Sequence, residues 1–325
     1  MEILLLHPGG LGDIILSLPA IDLLRMKYPA ARFTIAANLD HAPPVLGSRV
    51  ERAVSLSSLP LHNLYSDNAL SWQDVGFWKS YDQIISWTGS GDAGFVRRMK
   101  EIHPHALIAS WRPGPRETRH VAQIFIDSLG PEIAAGVRAV PSRIRLDFKQ
   151  AGQGLQWLSA HNWKHRFALL HPGAGSAGKR WPLDRFIRLA GQLALREKRK
   201  FLIIEGPAES GIAARMAGEL PQDAVMPSAS LPLDTLAAVM AGAEFFVGND
   251  SGIAHLAAAL GIPSIVIFGP TLPQHWAPLG PQVTVLRDFH GCDACMSGGN
   301  DHSCMGNISV EDVIKRIPDS RHQVA

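Results

Sequence analysis

Little of this sequence carries charge. Asp, Glu, Lys and Arg make up 18% of its 325 residues, below the usual quarter, so long solvated helices and disordered tails are not expected. The two signs nearly cancel, leaving a net charge of +2. A whole-molecule field for gripping nucleic acid is therefore absent, and an anionic ligand must be held by a local cluster. Cysteine is scarce: Cys292, Cys295 and Cys304 are the only three. An odd number gathered in one place is not the disulfide framework of a secreted protein. No run approaches the ~18 apolar residues that span a membrane. The opening Met1-Glu2-Ile3-Leu4-Leu5-Leu6-His7-Pro8 is too short in apolar residues, and acidic where a signal peptide is basic. Asp-x-Asp occurs nowhere, so metal-bridged diphosphate binding is not indicated. These absences lead to the expectation of a cytoplasmic protein whose membrane contact, if it has any, is peripheral.

Hydrophobic residues make up 46%, enough for a large core. The 30 glycines and 23 prolines exceed the usual share and imply many tight turns rather than a helical bundle. At roughly 150 residues per domain the length suggests two domains. One internal repeat supports that division. Leu5-Leu6-His7-Pro8-Gly9 recurs letter for letter as Leu169-Leu170-His171-Pro172-Gly173. Each copy ends a short apolar run and precedes Gly-rich residues and a helix-period segment, the strand–turn–helix opening of a βα fold.

Apolar spacing predicts helices over 13–27, 121–129, 183–197, 211–219, 233–242, 253–260 and 310–317, with a bend at Pro19. Buried strands are predicted over 33–37, 83–87, 106–110, 167–171, 201–205, 244–247 and 264–268. Strands alternating with helices imply an α/β fold with parallel sheets covered on both faces. The expected domains are 1–150 and 151–325, divided where Gln and Gly interrupt the pattern between Phe148 and Gly154.

Gly173-Ala174-Gly175-Ser176-Ala177-Gly178-Lys179 matches two phosphate templates, G-x-G-x-x-G and the first seven places of a P-loop. Neither survives its flanks. Arg180 stands where a P-loop needs Ser or Thr for magnesium. Pro182, placed as the first residue of the next helix, starts that helix too late. What remains is a glycine loop, two cations and a helix start, which suits a diphosphate held without a metal. The plain alternative is a flexible loop with solvated Lys179 and Arg180.

The matching loop of the first half, Gly9-Gly10-Leu11-Gly12-Asp13, carries a carboxylate where a phosphate would be repelled. Asp13 is either an N-cap or a carboxylate held for a substrate beside Gly10 and Gly12, suited to act as general base on an acceptor hydroxyl. The loop also lacks the third glycine of a dinucleotide fingerprint, Ile15 standing there, which disfavours a dehydrogenase. In Gly248-Asn249-Asp250-Ser251-Gly252, Asp250 and Ser251 suit a helix cap. The amides of Ser251, Gly252 and Ile253 suit an anion, with His255 either half-buried or directed to the same ligand.

Between Arg97 and His120 lie Arg97, Arg98, Lys100, Arg112, Arg116 and Arg119, with His103, His105 and His120, opposed only by Glu101 and Glu117. This is either a solvated face or a local positive patch for an anionic acceptor or membrane surface. Cys292-x-x-Cys295 and Cys304 have the spacing of a structural zinc knuckle, but a fourth ligand would have to come from His290 or His302. Reduced cysteines packed in a terminal loop are the other reading.

Taken together, three segments resemble glycosyltransferase family 9, the bacterial lipopolysaccharide heptosyltransferases. They are Gly-Leu-Gly-Asp-Ile-Ile-Leu-Ser-Leu-Pro-Ala-Ile at 10–21, His-Pro-Gly-Ala-Gly-Ser-Ala-Gly-Lys-Arg-Trp-Pro at 171–182, and Val-Gly-Asn-Asp-Ser-Gly-Ile-Ala-His-Leu-Ala-Ala-Ala-Leu-Gly-Ile-Pro at 247–263, running on to Phe268-Gly269-Pro270-Thr271. The resemblance implies a GT-B architecture, two Rossmann-like domains facing across a cleft, with the acceptor on the first and the nucleotide sugar on the second. It implies inverting, metal-independent transfer from an ADP-heptose-like donor to the lipopolysaccharide inner core, with no cofactor.

By position, Asp13 would be the general base. Gly173, Gly175, Ser176, Lys179 and Arg180 would meet the diphosphate, and Glu209 the ribose. Asp250, Ser251, Gly252 and His255 would line the donor site. Gly10, Gly12, Arg112, Arg116, Arg119 and His120 would serve the acceptor. This chain departs from many members in ending its first strand with His7 rather than a basic residue. The competing expectations are a nucleotide-sugar epimerase or hydrolase on the same fold and a non-catalytic nucleotide-sugar binding protein.

Overall fold

A computed structural model describes the chain except residues 162, 164–166, 207–209, 222–223, 228–230, 289–291, 293–302 and 319–325. It divides into two compact units, Met1–Ile144 and Arg145–Ala325. The first holds strands β1 (Glu2–Leu6), β2 (Arg32–Ala37), β3 (Arg52–Ser55), β4 (Gln83–Ser86) and β5 (Leu107–Ile108), in the order β3-β2-β1-β4-β5. The second holds β6 (Phe167–His171), β7 (Lys200–Ile203), β8 (Val225–Pro227), β9 (Phe246–Asn249), β10 (Ser264–Phe268) and β11 (Val283–Arg287), in the order β11-β10-β9-β6-β7-β8. All pairings are parallel.

The central strands read as unbroken apolar runs because both of their faces are covered. Leu4, Leu5 and Leu6 are fully buried, as are Ala168, Leu169 and Leu170. In each sheet the chain runs outward from the central strand to one edge, then returns to build the other side. β1 and β4 therefore flank one topological switch point, and β6 and β9 flank the other. Ligands of open parallel sheets bind at such places, beyond the carboxyl ends of the strands.

The helix Leu11–Lys27 continues through Pro19, and the helix Leu183–Glu197 has the bounds that its spacing predicts. Pro182 is the N-cap of the latter rather than its first residue. The segment 148–154 is not a linker but the start of a helix, Phe148–Ala160. Its glutamine and glycines mislead for two reasons. Gln150 completes a capping box with Asp147, its Oε1 accepting the Asp147 N–H at 2.9 Å. Gly154 permits close packing, since a Cβ there would lie 2.5 Å from the carbonyl oxygen of Ala238. Among the described residues, no helix is long and apolar enough to cross a membrane.

Candidate functional site

In the second unit, three segments converge at the switch point. The loop after β6 carries Gly173, Gly175, Ser176, Lys179 and Arg180. The turn after β9 carries Asp250 and Ser251, and the turn after β10 carries Thr271. The Lys179 ammonium donates to Asp250 Oδ2 at 2.9 Å, and the Thr271 hydroxyl donates to the same oxygen at 2.6 Å. Asp250 is buried, while Lys179 keeps about a quarter of its side chain exposed. Ser251 caps the helix Gly252–Leu260, its hydroxyl accepting the Ala254 N–H at 3.3 Å. His255 is buried on the first turn of that helix. Arg180 folds back onto the loop, donating to the Ala174 carbonyl at 3.4 Å.

Asn249 joins these segments. It is fully buried at the end of β9. Its Nδ2 donates to the carbonyls of Pro172 (2.8 Å) and Gly173 (3.3 Å), and its Oδ1 accepts the Trp181 N–H at 2.9 Å. The glycine loop is thus clamped at both ends by one side chain from the neighbouring strand. Trp181, 1% exposed, anchors the far end through an indole N–H donated to the Ile308 carbonyl at 2.9 Å. Between the clamps the loop is open, and a Cβ on Gly175 would meet nothing within 4 Å. The sequence motifs contain Asn249 and Thr271, but nothing in them assigns either residue a bracing role. That role depends on partners about 20 to 80 residues away.

In the first unit, the N-cap of the helix Leu11–Lys27 is Gly10, not Asp13. Asp13 is the third helical residue and reaches back, its Oδ2 accepting the Gly10 N–H at 2.9 Å. Gly12 lies within the first turn, and Gly9 is held tightly under Asp13. Preceding this loop, His7 is enclosed by Trp87, Trp111 and Phe125. The Arg112 guanidinium lies over Trp111 at 5.2 Å, which links this cation to the surroundings of His7.

The other basic residues divide. Arg119 is ion-paired to Glu117 (2.6 Å) and Asp127 (2.7 Å). Hydrogen bonds from Arg119 hold the Glu117 carboxyl down at about 2, and those to Glu117 and Asp127 push the guanidinium further up. His120 is the N-cap of the helix Val121–Asp127, its Nδ1 accepting the Ala122 N–H at 3.2 Å. Arg116 lines an open depression with Gly114, Pro115, Glu117 and Arg119. Arg97 and Arg98 line a separate one with Lys79 and Glu101.

Glu209 and Cys295 lie outside the described residues, as do His290 and His302. Cys292 is half-buried, and Cys304 is buried at the start of the helix Cys304–Asn307. Among the described residues, no three of His, Cys, Asp and Glu are grouped to hold a metal.

Two Rossmann-like parallel-sheet units, each with a Gly-rich loop at its switch point, define the GT-B class of glycosyltransferase folds. Solved structures share it. The Escherichia coli ADP-heptose LPS heptosyltransferase II aligns with a TM-score of 0.77 at 20% identity, covering 97% of each chain. A glycosyl transferase family 9 protein from Veillonella parvula aligns with a TM-score of 0.77 at 20% identity, covering 97% of this chain and 95% of its own. Residues 117–305, more than half of the chain, match the family model of glycosyltransferase family 9 (heptosyltransferase), and the chain belongs to that family. Its curated relatives include lipopolysaccharide heptosyltransferase 1 of Pseudomonas aeruginosa, 29% identical over 321 residues, covering 91% of this chain and 86% of the relative.

Proposed function

We propose that this glycosyltransferase moves a heptose from ADP-heptose to the inner core of lipopolysaccharide, with inversion and without a metal. The observation that carries the reading is the Lys179–Asp250–Thr271 cluster beside an open glycine loop, at the sheet edge where nucleotides bind. The names of similar proteins support the donor. The Escherichia coli enzyme WaaC has been solved with ADP and with ADP-2-deoxy-2-fluoro heptose. Arg112 and Arg116 suit the phosphates and carboxylates of an anionic acceptor. A lipid-anchored acceptor would bring the protein to the cytoplasmic face of the inner membrane.

In the proposed single displacement, the acceptor oxygen forms a bond to the anomeric carbon as the bond from that carbon to the diphosphate oxygen breaks. Asp13 takes the proton of the attacking hydroxyl. ADP leaves with its electron pair, its charge relieved by Lys179, by Arg180 and by amides at the start of the helix Gly252–Leu260.

Turnover of ADP-heptose with a lipid A–Kdo acceptor tests the reading. Asp13→Ala is expected to lower kcat by about 100- to 10,000-fold while calorimetry finds ADP affinity nearly unchanged. Lost ADP affinity in that variant would remove the assignment of Asp13. EDTA is expected to leave the rate unchanged. Donor consumption without acceptor would redirect the proposal to a hydrolase or epimerase, and nucleotide-sugar binding with no turnover by the wild-type protein would redirect it to a binding protein.

A further inference from the structure

His7 is fully buried at the end of β1. Its ring stacks on Phe125 at 5.4 Å and on Trp111 at 6.2 Å, and meets Trp87 edge-on at 5.5 Å. Within this aromatic cage Nδ1 accepts the Gly9 N–H at 3.1 Å. An accepting Nδ1 places the proton of the neutral ring on Nε2, which has no hydrogen-bond partner among the described residues. The next amide, that of Gly10, donates to Asp13 Oδ2 at 2.9 Å. Two consecutive amides are therefore fixed by two side chains, one an imidazole and the other the proposed base. Gly9 is pressed between them. A Cβ on it would lie 2.8 Å from His7 Cε1, 2.8 Å from Asp13 Oδ2 and 2.4 Å from Asp13 Cβ.

We propose that His7 is a positioning residue for Asp13: by holding the Gly9 amide, its Nδ1 sets the peptide that presents Gly10 N–H to the carboxylate, and so fixes the aim of that carboxylate at the acceptor hydroxyl. The proposal rests on Asp13 acting as the base. It needs an uncharged acceptor at position 7, which Lys and Arg, being donors only, cannot supply. Burial serves the same end by lowering the His7 pKa from 6.5 to about 4, which keeps Nδ1 unprotonated at neutral pH.

Three variants test this. His7→Phe keeps the stacked ring and removes the acceptor, and His7→Leu removes the acceptor with a smaller side chain. His7→Asn returns an acceptor oxygen close to the position of Nδ1 but abandons the cage. With kcat measured per folded molecule, either acceptor-free variant is expected to lose about 10- to 100-fold in kcat with donor KM within about twofold. His7→Asn is expected to recover most of kcat in spite of a lower Tm. Wild-type kcat in the acceptor-free variants would overturn the proposal. So would losses that follow Tm across all three, since that is the pattern of packing alone. Asp13→Ala separates the two levels. Full turnover there removes the reading of Asp13 as base, whereas a dead Asp13→Ala beside an active His7→Phe removes only the role of His7.

Discussion

Leu5–Gly9 and Leu169–Gly173 are the same five residues at the end of a central strand in two parallel sheets, yet they are braced differently. In the first, the histidine turns Nδ1 toward its own loop and accepts from Gly9. In the second, His171 Nδ1 donates to the carbonyl of Ile204, just beyond β7. The same ring nitrogen thus accepts in one copy and donates in the other, each role set by the partner within reach. The neighbouring strand contributes to the difference. Its residue beyond Ser86, the partner of Leu6, is Trp87, which closes over His7. The partner of His171 is Gly248, where a Cβ would lie 2.5 Å from the Phe246 ring. The first loop is held by side chains two and three residues away and presents a carboxylate. The second is held by a side chain more than 60 residues away and presents an ammonium. One strand–turn–helix frame therefore serves two opposite charges, and the difference lies in what grips the turn.

Removing each grip sharpens this contrast, beginning with the largest expected effect. Asn249→Ala leaves the Pro172 carbonyl, the Gly173 carbonyl and the Trp181 N–H without their partner, at a cost of about 3–5 kcal/mol in urea unfolding. A loss below about 1 kcal/mol would mean that the second loop holds itself. His7 comes next. Its folded pKa of about 4 lies below the ordinary 6.5, so the unfolded chain binds the extra proton first as pH falls. This contribution to stability is complete above pH 6.5 and declines by about 3 kcal/mol as pH falls toward 4. Tm measured against pH is expected to lose that part of its slope in His7→Phe, and an unchanged slope would contradict the buried neutral ring.

Gly9→Ala follows at about 1–3 kcal/mol, since its methyl must displace Asp13 or the His7 ring. Gly175→Ala is the smallest, within about 0.5 kcal/mol in stability, because that position faces open space. The same methyl is expected to weaken ADP binding by calorimetry, and unchanged affinity would place the diphosphate away from Gly175.

Much of the fold is legible in the residues. Phe167–His171, Ser264–Phe268 and Leu183–Glu197 have the bounds that their apolar spacing predicts. The short strands β3, β8 and β11 are not predicted from spacing. Arg52-Ala53-Val54-Ser55 is exposed or half-buried, and its pairing with β2 is what makes it a strand. Phe148–Ala160 misleads because Gln and Gly signal a break where the helix has a cap and a close packing contact. Within the site, Lys179 and Asp250 can be singled out by residue type and motif. The bracing by Asn249 and the divergence of the two histidines cannot, because each depends on which distant carbonyl or amide the fold brings near.

The Asn249 clamp has one more consequence. A carboxamide neither gains nor loses a proton in water and needs no counter-ion, and it engages its three backbone partners as a neutral donor and acceptor. That joint is indifferent to acid and to ionic strength. The Lys179–Asp250 ion pair beside it therefore rests on a joint that holds its shape when pH and salt change.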